Sequence, residues 1–263
     1  MAELTVAIGG LRTAIVTADA EIAEVVAHRY AGFLTDGPAA WRIEARRRPE
    51  GVVPITDVTV QPNGPGGFVL ERHDFHATLD LGARTGTLAL GAVDHMAVDS
   101  FLRVTYSLAL LEHGGLLLHA ASLARDQRAW VFSGPSGSGK TTLTRVSPEA
   151  SLLSDEISIV RLRDGRLRCH GSPFWGELGK PGDNEEIDVA AIHFLRHAER
   201  NAATPLAGRR ALERLLPNVL FFAADPHLVR RVLDVAAAVV DSVPCFALGF
   251  RPEPAVWEVI ADA

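Results

Sequence analysis

Gly134-Pro135-Ser136-Gly137-Ser138-Gly139-Lys140-Thr141-Thr142 fits the pattern G-x-x-x-x-G-K-[ST] at every fixed position. Each residue type has its own reason to stand there. Glycines let the backbone turn with N–H groups pointing inward and keep Cβ atoms out of the way of a phosphate. A helix opening near Gly139 adds unpaired N–H groups and the positive end of its dipole. Lys140 reaches the β and γ phosphates as a point charge, Thr141 offers its hydroxyl to Mg²⁺, and Thr142 reaches an α-phosphate oxygen. Gly134, Ser136, Gly137, Ser138 and Gly139 complete the predicted cradle. The bland alternative is a Gly/Ser-rich turn that happens to hold a lysine. Against it, a β-prone run precedes the loop and a helical pattern follows. These residues point to nucleotide binding and leave open what becomes of the γ-phosphate.

Asp155-Glu156 stands fifteen positions beyond Lys140, after the apolar run Ser151–Leu153. A strand there, parallel to the loop-bearing strand and beside it, would put both carboxylates on the carboxyl edge of the sheet, where ligands of open α/β sheets bind. One carboxylate would hold Mg²⁺ and the other would accept the proton of an attacking hydroxyl. A solvated acidic turn before a hairpin is the competing reading. His119 lies in the apolar run that starts at Leu116, where a core histidine and a catalytic one look alike. His113 and His170 read as non-catalytic.

The elements that must position these groups are legible in outline. Leu4–Ile8 and Arg12–Thr17 read as strands either side of Gly9-Gly10, and Ala20–Tyr30 has helical spacing. Arg48–Pro54 and Gln61–Gly67 are punctuating stretches. Phe68–Glu71, His76–Leu81 and Thr85–Leu90 read as short strands. Asp94–His113 is a long amphipathic helix stopped by Gly114-Gly115. Leu116–Leu118 and Ala129–Ser133 are strands, the second buried and central. Ile157–Arg163 and Arg166–Cys169 flank Asp164-Gly165 as a hairpin. Helices are expected around Arg209–Leu216 and His227–Val239, with a strand at Cys245–Phe250. The domain boundary falls near residue 92, with a small α+β module over 1–92 and the chemistry in 93–263.

Composition sets limits. With 263 residues, 48% hydrophobic and 22% charged, the chain is long and apolar enough for a sizeable core. A net charge of −6 with no long Lys/Arg block excludes nucleic acid as a partner, because phosphates need a basic stripe. The cluster Arg46–Arg48 reads as a solvated face. Cys169 and Cys245 fit no ligand spacing and read as small apolar fillers of a reduced protein. Met1-Ala2-Glu3 lacks a basic n-region, and the most apolar tract, Val232–Phe250, is broken by Asp234, Asp241 and Pro244. The expectation is a cytoplasmic protein with no membrane partner.

Leu118-His119-Ala120, the loop Gly134–Thr141 and the acids of Leu153-Ser154-Asp155-Glu156 together resemble the catalytic domain of HPr kinase/phosphorylase. They are more similar still to the shorter HPr-kinase-related kinases that include lasso-peptide kinases. The likeness spans residues 94 to 258. It implies an α/β fold with a P-loop kinase core like that of phosphoenolpyruvate carboxykinase, ATP and Mg²⁺ as cofactors, and phosphoryl transfer to a serine hydroxyl. It implies Asp155 as the catalytic acid/base, His119 as the active-site histidine near the phosphates, and Glu156 in place of a second aspartate, with a metal role. It also implies assembly into a homo-oligomer. Where the HPr enzymes carry Glu-Ile-Arg-Gly-Leu-Gly-Ile, this chain has Cys169-His170-Gly171-Ser172-Pro173-Phe174-Trp175. HPr as acceptor and phosphorolysis are therefore not implied, and Cys169–Trp175 together with the C-terminal third is expected to shape the acceptor side rather than the nucleotide side.

The resulting expectation is a kinase acting on a peptide or protein, with catalytic groups Asp155, His119 and Lys140 and metal ligands Thr141, Glu156 and Asp155. A small-molecule hydroxyl kinase is a variant of the same class. A nucleotide-operated switch is the alternative from another class, and a silent nucleotide-binding module is the third. No Asn-Lys-x-Asp or Leu-Ser-Gly-Gly segment occurs to favour a GTPase or an ABC-type ATPase.

Overall fold

The computed structural model describes residues 1–48 and 57–261. Most of the punctuating stretch Arg48–Pro54 lies outside the described residues. The chain divides into two compact units, Met1–Ala109 with Phe221–Arg230, and Leu110–Leu220 with Arg231–Ala263.

The first unit is built on a seven-stranded sheet. Strands β1 (Ala2–Ile8) and β2 (Leu11–Thr17) form a hairpin whose two central residues, Gly9 and Gly10, both have positive φ. Two positive φ values make the turn that matches strand twist, and glycine adopts them without strain. Helix α1 (Ala20–Arg29) starts at Asp19, whose carboxylate accepts from the N–H groups of Glu21 and Ile22. Then come β3 (Trp41–Arg47), β4 (Thr59–Pro62), β5 (Gly67–Arg72), β6 (Phe75–Asp80), β7 (Thr85–Leu90) and helix α2 (His95–Glu112). The spatial order is β1-β2-β3-β7-β6-β5-β4, with β3 parallel to both its neighbours. Helix α2 joins this unit through Asp99, which takes Arg29 and the Tyr30 hydroxyl, and through Tyr106 hydroxyl on Thr13 at 2.8 Å. Phe101 meets Phe75 edge-on, with ring centroids 6.3 Å apart.

The sequence anticipated five of these strands but not β3 or β4. In β3 the alternation Trp41-Arg42-Ile43-Glu44-Ala45 was present and places Trp41, Ile43 and Ala45 inward. Arg46 and Arg47 are exposed, and Arg47 pairs with Asp19 and Glu21, a solvated face as expected.

The second unit contains β8 (Gly115–Arg125), β9 (Arg128–Ser133), α3 (Lys140–Arg145), β10 (Ser151–Ser154), β11 (Ile157–Arg163), β12 (Arg166–His170), β13 (Glu186–His197), β14 (Ala202–Leu206), α4 (Arg209–Leu215), helix α5 (Pro226–Ser242) from Arg231 onward, β15 (Cys245–Phe250) and α6 (Val256–Ala261). Its two longest strands serve two layers. In one layer β10, β8, β9, β13, β15 and β14 lie side by side. In the other, β11 and β12 bridge the early part of β8 to the early part of β13. Strand β9 is central, antiparallel to β8 and parallel to β13, and its core face is covered by Leu143 of α3 and Trp257 of α6.

Asp164 and Gly165 both have positive φ and close the β11–β12 hairpin, the turn that their residue types predict. Cys169 and Cys245 are buried and unpaired, and burial pushes both thiols up to about 12. Among the described residues, no helix is long and apolar enough to cross a membrane.

Candidate nucleotide site

Three local arrangements meet at one end of β9. The first is the loop itself, which leaves β9 at Ser133 and enters α3 at Lys140. Gly137 and Gly139 have φ of 78° and 97°, a region costly to any residue with a Cβ. At Gly139 a Cβ would also stand 2.6 Å from the Phe250 ring. Lys140 Nζ donates to the carbonyls of Gly134 at 2.8 Å and Pro135 at 3.1 Å. Ser138 Oγ is buried against Gly134 with no hydrogen-bond partner among the described residues.

The second is a bulge. Strands β10 and β11 run in succession along β8, both antiparallel to it. The register steps from Leu152 opposite Leu123 to Ser154 opposite Ser122, two residues against one. Bulges re-aim side chains, and Asp155-Glu156 sits in the interval before Ile157 resumes pairing with His119. This corrects the expected arrangement. The strand carrying the acids runs in the direction of β9 but is not beside it; β8 lies between them, antiparallel to both. The pair reaches the loop because the ladder is broken there.

The third is a strap between β12 and β13. Its ends are stitched together, Gly171 N–H to Glu185 O at 2.8 Å and Gly182 N–H to Ser172 O at 2.9 Å. Gly171 and Gly182 approach other backbone so closely that a Cβ would lie 1.8 Å from a carbonyl oxygen. The crown of the strap is clamped by Asp155, whose Oδ1 accepts from Gly176 N–H at 2.9 Å and Oδ2 from Leu178 N–H at 2.8 Å.

These arrangements enclose a cleft of about 320 Å³. Of the predicted site residues, His119, Ser136, Gly137, Gly139, Lys140, Thr141, Thr142, Asp155 and Glu156 line it. Gly134 and Ser138 lie in the loop behind that wall. Gly176, Glu177 and His197 line it as well and were not anticipated. The strap residues Gly176 and Glu177 thus line the same cleft as the glycine loop. His197 carried no motif; only its place at the end of a strand parallel to β9 could have found it.

Charge is concentrated at Lys140, only 7% exposed. Burial lowers its pKa, and Glu156 opposes the shift. Burial, followed by the Lys140 charge, lowers that of His119, so the imidazole is neutral at neutral pH. Asp155 is 4% exposed and Glu156 half-buried. The donor set suits a polyphosphate: an ammonium, hydroxyls of Ser136, Thr141 and Thr142, and a backbone with glycine where close approach is needed. Mg²⁺ is ordinarily held by one or two carboxylates together with substrate phosphates rather than by an all-protein cage. Glu156 and Thr141, both lining the cleft, are the residues that would form such a partial shell.

Residues 92–263 match the family model described as SynChlorMet cassette protein ScmC. No curated protein matches the chain. Among solved structures, the HPr(Ser) kinase/phosphatase from Coxiella burnetii matches at 10% identity and a TM-score of 0.34. That match covers 56% of this chain and 88% of that one. A likeness at that score supports no conclusion about fold or activity.

Proposed function

The chain belongs to the ScmC family whose model it matches, and for this member we propose an ATP- and Mg²⁺-dependent kinase. The acceptor in this reading is a serine or similar hydroxyl of a peptide or protein, of the ribosomal lasso-precursor kind. The observation that carries it is the meeting of Lys140, Thr141, His119, Asp155 and Glu156 in one cleft.

Phosphoryl transfer asks mainly for positioning and for charge where charge develops. Lys140 exchanges its two loop carbonyls for phosphate oxygens. Thr141 and Glu156 would hold Mg²⁺, which would supply charge neutralisation at the phosphates. His119, neutral, offers a hydrogen bond without adding a second cation beside Lys140. Asp155 receives the acceptor proton. Its two backbone bonds occupy one lone-pair site on each oxygen, and a carboxylate has about four. The bonds fix its rotamer and leave each oxygen a further lone pair with which to accept.

Incubation with ATP, Mg²⁺ and a pool of serine-containing peptides tests the reading. Phosphoserine detected by mass spectrometry with the wild type, and lost with Lys140→Ala, is expected. A pool left unmodified under conditions where ATP is bound would overturn it.

A further inference from the structure

His197 ends β13, is exposed, and points its Nε2 at the carbonyl oxygen of Gly137, 2.8 Å away. A carbonyl only accepts, so Nε2 carries the proton and donates. The imidazole stacks on Phe250 at 6.2 Å with an interplanar angle of 25°, and Phe250 is its register partner on β15. The same Phe250 ring closes off the space beside Gly139.

The two left-handed glycines of the loop are therefore held by different means. Gly139 is fixed by contact with Phe250. Gly137 has nothing within 4 Å of where a Cβ would be, so packing does not hold it. One backbone bond spans the turn, Ser138 N–H to Pro135 O at 3.2 Å. The other restraint at the tip is the bond from His197. A glycine without packing samples more backbone states than any other residue, and each must be given up when a ligand orders the loop.

We propose that His197 is a positioning residue of the phosphate loop, holding the Gly137 peptide in its binding conformation before the nucleotide arrives. The inference rests on the nucleotide reading of the cleft and adds to it a residue outside the motif. Ordering the loop in advance raises affinity without any contact to the ligand.

The test is calorimetric titration of wild type, His197→Ala and His197→Gln with ATP and Mg²⁺. Loss of one hydrogen bond of this kind should weaken His197→Ala by about five- to tenfold. Glutamine places an amide N–H near the position of Nε2 and should restore affinity to within about threefold of the wild type. A residue that mattered only for stability would lower the thermal midpoint of both variants and would not be rescued by glutamine. Equal affinity of wild type and His197→Ala overturns the proposal. Equal weakness of the alanine and glutamine variants also overturns it, because the stack rather than the donated proton would then be at work. A wild type that binds no ATP removes the nucleotide reading itself, an outcome separable from the other two.

Discussion

Lys140 spends two of its three protons on carbonyls of its own loop, so a phosphate displaces existing bonds rather than meeting an unpaired ammonium. A charge-assisted contact is still worth about 1.5–3 kcal/mol. Lys140→Ala should therefore weaken ATP binding by roughly tenfold to over a hundredfold, read by calorimetry; unchanged affinity would contradict the loop assignment. Asp155 has two duties in the cleft, the strap bonds and the proposed proton acceptance. Asp155→Asn keeps one acceptor oxygen but turns an amide donor toward the second strap N–H, so both duties suffer. General-base help is typically worth 10²–10⁴-fold. The expected result is a fall of that size in transfer rate with ATP affinity within about threefold. Hydrogen exchange at the Gly176 and Leu178 amides reads the strap separately. Faster exchange there with an unchanged transfer rate would leave Asp155 a clamp only. The loop and acids were legible because phosphate chemistry fixes their types and spacing. His197 was not, because its partner is a backbone carbonyl, and Gly176 was not, because it takes part through its own backbone N–H; neither contact fixes a residue type.

At the scale of elements, local signals worked where they were self-contained. The paired positive-φ turns at Gly9-Gly10 and Asp164-Gly165 and the stop at Gly114 need only their own residues. Strand β13 was missed because its stretch from Val189 to Leu195 is buried at all but Ala190, which gives a continuous Val-Ala-Ala-Ile-His-Phe-Leu run rather than an alternation. The bulge at Asp155 was invisible because a register shift belongs to two strands at once. Within β13, His193 is fully buried between Phe132 and Phe246, with centroids 5.5 and 5.3 Å away, and neither ring nitrogen has a hydrogen-bond partner among the described residues. Burial lowers its pKa to about 4. The folded state thus keeps His193 neutral while the unfolded chain protonates it as the pH falls below about 6.5. Stability is unaffected above that value, declines as pH falls from 6.5 toward 4, and levels off below. By pH 5 the loss amounts to about 2 kcal/mol. Denaturant melts at pH 7.5 and 5 should show the wild type losing about that much more than His193→Phe, which keeps a ring in the stack. Equal losses would mean that the buried imidazole finds a partner.

For the whole molecule, the sequence placed a boundary near residue 92, and the family match begins there. The compact units divide at Ala109: Phe101 and Tyr106 of α2 meet Phe75 and Thr13 of the first sheet, and Asp99 takes Arg29 and Tyr30 at the end of α1. Helical periodicity shows that a helix exists and which stripe is apolar, but not which sheet the stripe covers. The first unit, read from sequence as a small mixed module, is a seven-stranded sheet with two helices. In the proposed function, the cleft of the second unit would deliver the γ-phosphate to a hydroxyl on another molecule rather than to water. The direct measurement is the partition of γ-labelled phosphate between a serine-containing peptide acceptor and free phosphate, with Mg²⁺ present. The account predicts that label accumulates on acceptor serine and that ATP consumption without acceptor is slow. Brisk release of free phosphate, unchanged by acceptor and with no label on serine, would contradict it and identify a nucleotide-hydrolysing switch.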